Sequence, residues 1–202
     1  NRTTVNKVPV IELRHVDKHF GELAKMTWGI IGLGNIGRRV ADIAKAFGCR
    51  VIYYSTSGRN SQPGYERVSF EELLKESDIV SVHAPLDENT LDLMNKEAFH
   101  QMKKTAIFLN LGRGPIVVEE DLAEALEQGE IAAAGLDVLT KEPVEADNPL
   151  NSIKDSTKLI VTPHIAWAPK ESRQRLMDIA VENYRNVNTA FDEFFQRENG
   201  PK

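Results

Sequence analysis

Residues Trp28 to Gly37 read WGIIGLGNIG. The run begins as a short apolar stretch of the kind that forms a buried strand and ends on Gly32-Leu33-Gly34-Asn35-Ile36-Gly37, a G-x-G-x-x-G pattern. From Asn35 to Phe47 the apolar residues Ile36, Val40, Ile43, Ala44 and Phe47 recur at three-and-four spacing. That spacing predicts a helix packed on the strand through this face and ended by Gly48. The order strand, glycine turn, helix gives the pattern its meaning. The first glycine permits a tight turn, the second lets backbone approach a pyrophosphate, and the third lets the helix pack close. Phosphate charge then meets the free N–H groups at the helix start. Gly32, Gly34, Asn35, Ile36 and Gly37 are therefore candidate cofactor-binding residues.

Working outward, the same rhythm recurs. Strands are predicted at Arg50–Tyr54, Asp78–His83, Thr105–Asn110, Ile131–Val138 and Lys158–Thr162, with a polar loop running to about Arg67. Helices are predicted at Ser69–Lys75, at Asn95–Met102, and at Glu119–Glu127 before Gly129. The first of these opens with Ser69 and Glu72 in a capping box. Six strands joined by right-handed crossovers imply an α/β fold, a doubly wound parallel sheet of Rossmann type over residues 26–168, with ligands at the strands' carboxyl ends. Residues 1–25 read as a hinge or linker remnant, and 169–202 as a C-terminal helix. From Lys170 to Phe195, Leu176, Ile179, Ala180, Tyr184, Val187, Phe191 and Phe194 form one apolar stripe. Such a stripe calls for a covering surface on another domain or subunit.

Composition narrows the function classes. A chain of 202 residues with 41% apolar and 27% charged residues is an ordinary globular protein of one large domain. Its net charge of −5 offers no basic field for nucleic acid. The single cysteine, Cys49, forms neither an internal disulfide nor a cysteine metal cage; no metal is expected, and a reducing, cytoplasmic setting fits. No apolar run approaches the ~18 residues of a membrane span, and the polar start carries no signal-peptide core. The chain does not open with Met and reads as a fragment or a processed product.

NAD sites place a carboxylate at the end of the second strand to accept from the ribose 2′-hydroxyl. Here that place reads Tyr53-Tyr54-Ser55-Thr56-Ser57-Gly58-Arg59. With no carboxylate to repel a 2′-phosphate, and with Ser55, Thr56, Ser57 and Arg59 to bind one, the sequence favours NADP(H). NAD(H) held through Ser55 is the alternative.

Three polar residues follow later strands: Arg113 in NLGRG (110–114), Glu142 in DVLTKEP (137–143) and His164 in TPHIAW (162–167). Together with the glycine pattern, from about Phe20 to Asn186, these motifs resemble the D-isomer-specific 2-hydroxyacid dehydrogenases, and the PHIAW wording is most similar to the glycerate dehydrogenase and hydroxypyruvate reductase members. The resemblance implies hydride transfer between NAD(P)(H) and a small D-2-hydroxy or 2-oxo acid. It implies catalytic roles for three residues: His164 moving the proton, Glu142 bonding the other ring nitrogen and favouring imidazolium, and Arg113 clamping the carboxylate. It further implies that Asp137 accepts from the nicotinamide carboxamide and Leu111 meets the nicotinamide through its backbone. Ala84, Pro85 and Thr90 would border the adenosine and phosphates, and His83 would line the adenine pocket or serve structure. His15, His19 and His100 read as surface residues. A homodimer through the nucleotide domains is implied too. The family's N-terminal substrate domain is not found in the roughly 26 residues before the first strand. Two other readings stay open on that account: a module that binds or senses NAD(P)(H) without turnover, and an interaction scaffold using the helix from Lys170 onward.

Overall fold

The computed structural model describes residues 23–59, 61–155 and 157–199; the predicted linker, His15 and His19 lie outside these residues, apart from the linker's last three. The chain divides into two compact units after Thr162.

The first unit is a seven-stranded sheet in the order β3-β2-β1-β4-β5-β6-β7. Its strands are β1 (Thr27–Ile31), β2 (Arg50–Tyr54), β3 (Glu66–Arg67), β4 (Ile79–Val82), β5 (Ile107–Asn110), β6 (Ala133–Leu136) and β7 (Leu159–Val161). Every pair is parallel, with registers such as Ile31↔Tyr54 and Ile31↔Val82 bringing the strand tips level. The predicted doubly wound sheet is present with one strand more than the sequence pattern announced. β3 lies in the stretch read as loop: two exposed charged residues pairing Ile52 and Tyr53, too short and too polar to show a strand's periodicity. Charged, brief edge strands of this kind resist pairing with other chains.

Four helices cross between these strands: α1 (Asn35–Ala46), α2 (Phe70–Glu76), α3 (Lys96–Gln101) and α4 (Glu119–Gln128). Side-chain caps open two of them. Ser69 Oγ accepts from Glu72 N at 3.1 Å, as the capping box predicts, and Asn95 Oδ1 accepts from Ala98 N at 3.1 Å. Gly129, at φ 68°, ends α4 in the left-handed conformation.

α2, α3 and α4 contribute Leu73, Leu74, Phe99, Leu122 and Leu126 to one core, with Ile31, Ile52, Val80, Val82 and Phe108 from the sheet. Right-handed crossovers running from β3 towards β6 all pass on the same side, which is why three helices share this face. On the opposite face Ile30, Val51 and Tyr53 pack with Ala41 and Ala44 of α1. The stripe predicted for α1 holds for Ala44 and for Val40, which packs against this core, but not for Ile36 and Ile43. Its buried residues are Gly37, Ala41 and Ala44, while Ile36 and Ile43 are 68% and 58% exposed. At its first turn the helix sits so near the end of β1 that no side chain fits beneath it: a Cβ on Gly37 would lie 2.2 Å from the Gly32 carbonyl oxygen.

The second unit, residues 163–202, carries α5 (Lys170–Asn199), four residues longer than its predicted end at Phe195. Leu176, Ile179, Tyr184 and Val187 of its apolar stripe are exposed. The side chains of Phe191 and Phe194 lie outside the described ones.

Candidate functional site

The tip of β1 is a crease built from backbone. Gly32 turns the chain at φ 91°, donates its N–H to Tyr54 O, and approaches the loop after β4 so closely that a Cβ there would stand 2.7 Å from Ala84 N. Gly34 follows with nothing among the described residues within 4 Å of where a Cβ would be, and α1 begins at Asn35. Asn35 Oδ1 accepts from Arg38 at 2.7 Å, and Ile36 is exposed. No side chain caps α1, so its first amides remain as donors for an anion.

Beside the crease, Ser55 closes β2. It is only 4% exposed, and its Oγ has no hydrogen-bond partner among the described residues. Thr56 is half-buried, and Ser57 and Arg59 are exposed in the loop beyond, which Arg67 of β3 pins through Gly58 O at 3.0 Å. A bent glycine crease, open space over Gly34 and an unpartnered buried hydroxyl fit a dinucleotide's phosphates and ribose.

The loop after β4 forms the other flank. Ala84 is buried and Pro85 exposed. Thr90 is fully buried, and its hydroxyl donates to Pro85 O at 2.7 Å and accepts from Asp87 N at 2.8 Å. Its part in this structure is to fold the turn that presents Ala84 and Pro85. His83 bonds Ser81 Oγ through Nε2 at 3.2 Å, and Ser81 Oγ in turn accepts from the Trp28 indole at 2.9 Å. Burial pushes the His83 imidazole down to about 4. His100, by contrast, is an exposed side chain near Glu130.

Past β5, Asn110 shapes the loop that bears Arg113. Its Oδ1 accepts from Gly112 N and its Nδ2 donates to Arg113 O, both at 3.0 Å. Leu111 and Arg113 are exposed, and the Arg113 guanidinium donates to Gly112 O at 2.8 Å. Gly112 lies against the β4 loop, where a Cβ would sit 3.0 Å from Ala84 O. Sequence reasoning passed over Asn110 and Gly112, although their NLGRG setting held the signal.

After β6, Asp137 is buried. Its N–H donates to Asn110 O at 3.0 Å, and its Oδ1 accepts from Thr162 Oγ1 at 2.5 Å. Glu142 follows on an exposed segment and accepts from Leu139 N at 3.0 Å. The structure thus brings Gly32 and Gly112 each against Ala84, and Gly114 beneath the Leu139 backbone that leads to Glu142. His164 belongs to the second unit, with its backbone in the left-handed region at φ 52°. Among the described residues no helix is long and apolar enough to cross a membrane, and no cluster of three or more His, Cys, Asp and Glu side chains is arranged to hold a metal.

Residues 10–166 match the family model described as D-isomer specific 2-hydroxyacid dehydrogenase, NAD binding domain. The chain belongs to this family. A hydroxypyruvate reductase of Blautia hydrogenotrophica is 47% identical over 167 residues, covering 80% of this chain and 50% of the relative. Two solved structures show the same fold. One is the NAD-complexed form of a D-isomer specific 2-hydroxyacid dehydrogenase from Lactobacillus delbrueckii ssp. bulgaricus, with a TM-score of 0.74 at 30% identity, covering 84% of this chain and 54% of that one. The other is an acyclic imino acid reductase in complex with NADPH and D-Arg, with a TM-score of 0.75 at 34% identity, covering 82% and 52%. The chain spans about half the length of the relatives it matches.

Proposed function

We propose that this chain is the dinucleotide-binding part of an oxidoreductase that passes a hydride between NAD(P)(H) and a small D-2-hydroxy or 2-oxo acid of the glycerate, hydroxypyruvate and glyoxylate class. The observation that carries this reading is the crease at Gly32, with the loops of Ala84, Gly112 and Gly114 gathered along the same sheet edge. Gly32, Gly34, Asn35, Ile36 and Gly37 would hold the pyrophosphate, and Ala84, Pro85 and the turn folded by Thr90 would flank the adenosine. Leu111 and Asp137 would orient the nicotinamide. A bound reduced nicotinamide supplies the hydride to the carbonyl carbon. Arg113 would hold the substrate carboxylate by its planar fork. His164 would give the proton that completes the alcohol and take it back in oxidation, with Glu142 as the partner of its other nitrogen.

NADP(H) is the favoured partner. Support comes from Ser55 standing where a carboxylate would repel a 2′-phosphate, and from the exposed Ser57 and Arg59 beyond it. Cytoplasmic residence and a homodimer through the nucleotide domains complete the reading, the former supported by a single free cysteine.

The test is to follow NADPH and NADH absorbance with hydroxypyruvate and glyoxylate in the full protein, while titrating each dinucleotide against Trp28 and Trp167 fluorescence. Turnover supports the reading. Binding without turnover supports a sensing module instead, and neither leaves the scaffold. His164→Ala is expected to abolish reduction with dinucleotide affinity kept within a few-fold; a large loss of affinity would count against a proton-transfer role. Ser55→Asp is expected to turn preference towards NAD(H), and unchanged discrimination would show that the 2′ position lies elsewhere.

A further inference from the structure

Glu119, the first residue of α4, is a carboxylate only 8% exposed. Its Oε1 accepts from Thr140 N at 2.6 Å and its Oε2 accepts from Asn148 Nδ2 at 2.7 Å. Those two donors bracket the segment that carries Glu142. Between them Lys141 to Asp147 are all exposed, so hydrogen bonds rather than apolar burial hold the segment: Asn151 Nδ2 donates to Glu145 O at 2.9 Å and Lys141 Nζ to Glu145 Oε2 at 2.8 Å in its middle, and Glu119 holds its two ends. Asn148 is itself fixed in orientation, because its Oδ1 accepts from Leu150 N at 2.9 Å and Leu150 is buried in the main core. At the near end the Leu139 backbone passes directly over Gly114, where a Cβ would stand 2.1 Å from the Leu139 carbonyl.

A buried carboxylate is costly unless donors surround it. Here two short, charge-assisted bonds and the field at the start of α4 offset the burial. Apolar residues would have filled the space without that cost, but they would have left Thr140 N and Asn148 Nδ2 without an acceptor.

We propose that Glu119 is a positioning residue: its two oxygens grip both ends of the exposed segment and so fix Glu142 for the proton transfer. The inference rests on the reading of Glu142 given above. Both oxygens must accept, which makes the donor and acceptor pattern testable by reversal. Glu119→Gln sets an NH2 group against Asn148 Nδ2, and Asn148→Asp sets two acceptors face to face. The double variant restores a donor–acceptor pair of opposite sense, and the carboxylate it introduces at position 148 can go on capping Leu150 N.

The experiment measures kcat and KM in the full protein together with amide hydrogen exchange at Leu139 and Thr140. Each single variant is expected to lose tenfold or more in kcat, with dinucleotide KM within twofold, and to exchange faster at Thr140; the double variant is expected to recover most of both. Single variants at unchanged kcat while the unsubstituted protein turns over, or a double variant no better than the singles, would overturn the positioning role. Unaltered exchange at Thr140 in the singles would overturn the grip itself. An unsubstituted protein that reduces none of the 2-oxo acids would overturn the functional reading, a result distinct from the others because the exchange pattern would still report the grip.

Discussion

Three glycines of one motif do different physical work. Gly37 is small because the helix above β1 leaves no room, whereas Gly34 has empty space where a side chain would go. Gly37→Ala is therefore expected to cost about 1–3 kcal/mol of stability by overpacking, read from urea midpoints. Gly34→Ala should leave stability within about 0.5 kcal/mol yet weaken dinucleotide binding, since its Cβ would occupy the space a phosphate needs. Equal stability losses in the two variants would contradict this division. His83 gives a pH signature. Its folded value of about 4 lies below the ordinary imidazole range because burial disfavours the cation. The unfolded chain therefore takes up a proton near pH ~6.5, before the folded one does. Stability is complete above that pH, and about 1–3 kcal/mol is lost as pH falls towards 4. Urea midpoints of the parent and His83→Gln, compared between pH values above and below this window, should show the steeper decline in the parent. Equal declines would remove His83 as the cause.

Among the elements, α4 starts without a side-chain cap: Val118 stands at its N-cap, followed by Glu119, Glu120 and Asp121 in the first turn. The acidic turn suits the helix dipole, but a cap oxygen is missing. Val118→Thr keeps the shape, adds that oxygen, and is expected to raise stability by about 0.5–1 kcal/mol, checked by thermal midpoint. No gain would mean that the α4 amides already have partners. At this scale the sequence was readable where period and punctuation agree. The alternation of strand and helix, the Ser69 cap and the stops at Gly48 and Gly129 all follow from local chemistry. The buried face of α1 followed only at Val40 and Ala44, because pattern reading favours large apolar residues such as Ile36 and Ile43, whereas close approach adds Gly37 and Ala41 in their place. β3 was hidden because pairing, not composition, makes Glu66 and Arg67 a strand. Of the candidate site, the glycine crease and the Arg113 and Glu142 loops were visible as motifs. The bonds of Thr90 to Pro85 and Asp87 are local but leave no periodicity to read, and the bonds that Glu119 accepts from Thr140 and Asn148 join distant parts of the chain that no local pattern records.

For the molecule as a whole, the two faces of the sheet are treated unequally. Three helices of the first unit cover one face, while on the other α1 lies over β1 and β2, and Ile107 and Ile160 beyond it are 37% and 65% exposed. Parallel sheets are ordinarily covered on both faces. Within this chain Phe108→Ala is expected to cost about 3–5 kcal/mol, since its ring is fully buried against Phe99. Ile160→Lys should cost no more than about 0.5 kcal/mol. A large loss at Ile160 would show that this face is covered in solution.

The strand order has one more consequence. Ser55 and Arg59 follow β2, Arg113 follows β5, and β1 and β4 lie between. Three strand spacings separate the two tips, about 14 Å of rigid sheet. A designer who rewrites the β2 loop therefore works at a bench well away from the loop that bears Arg113.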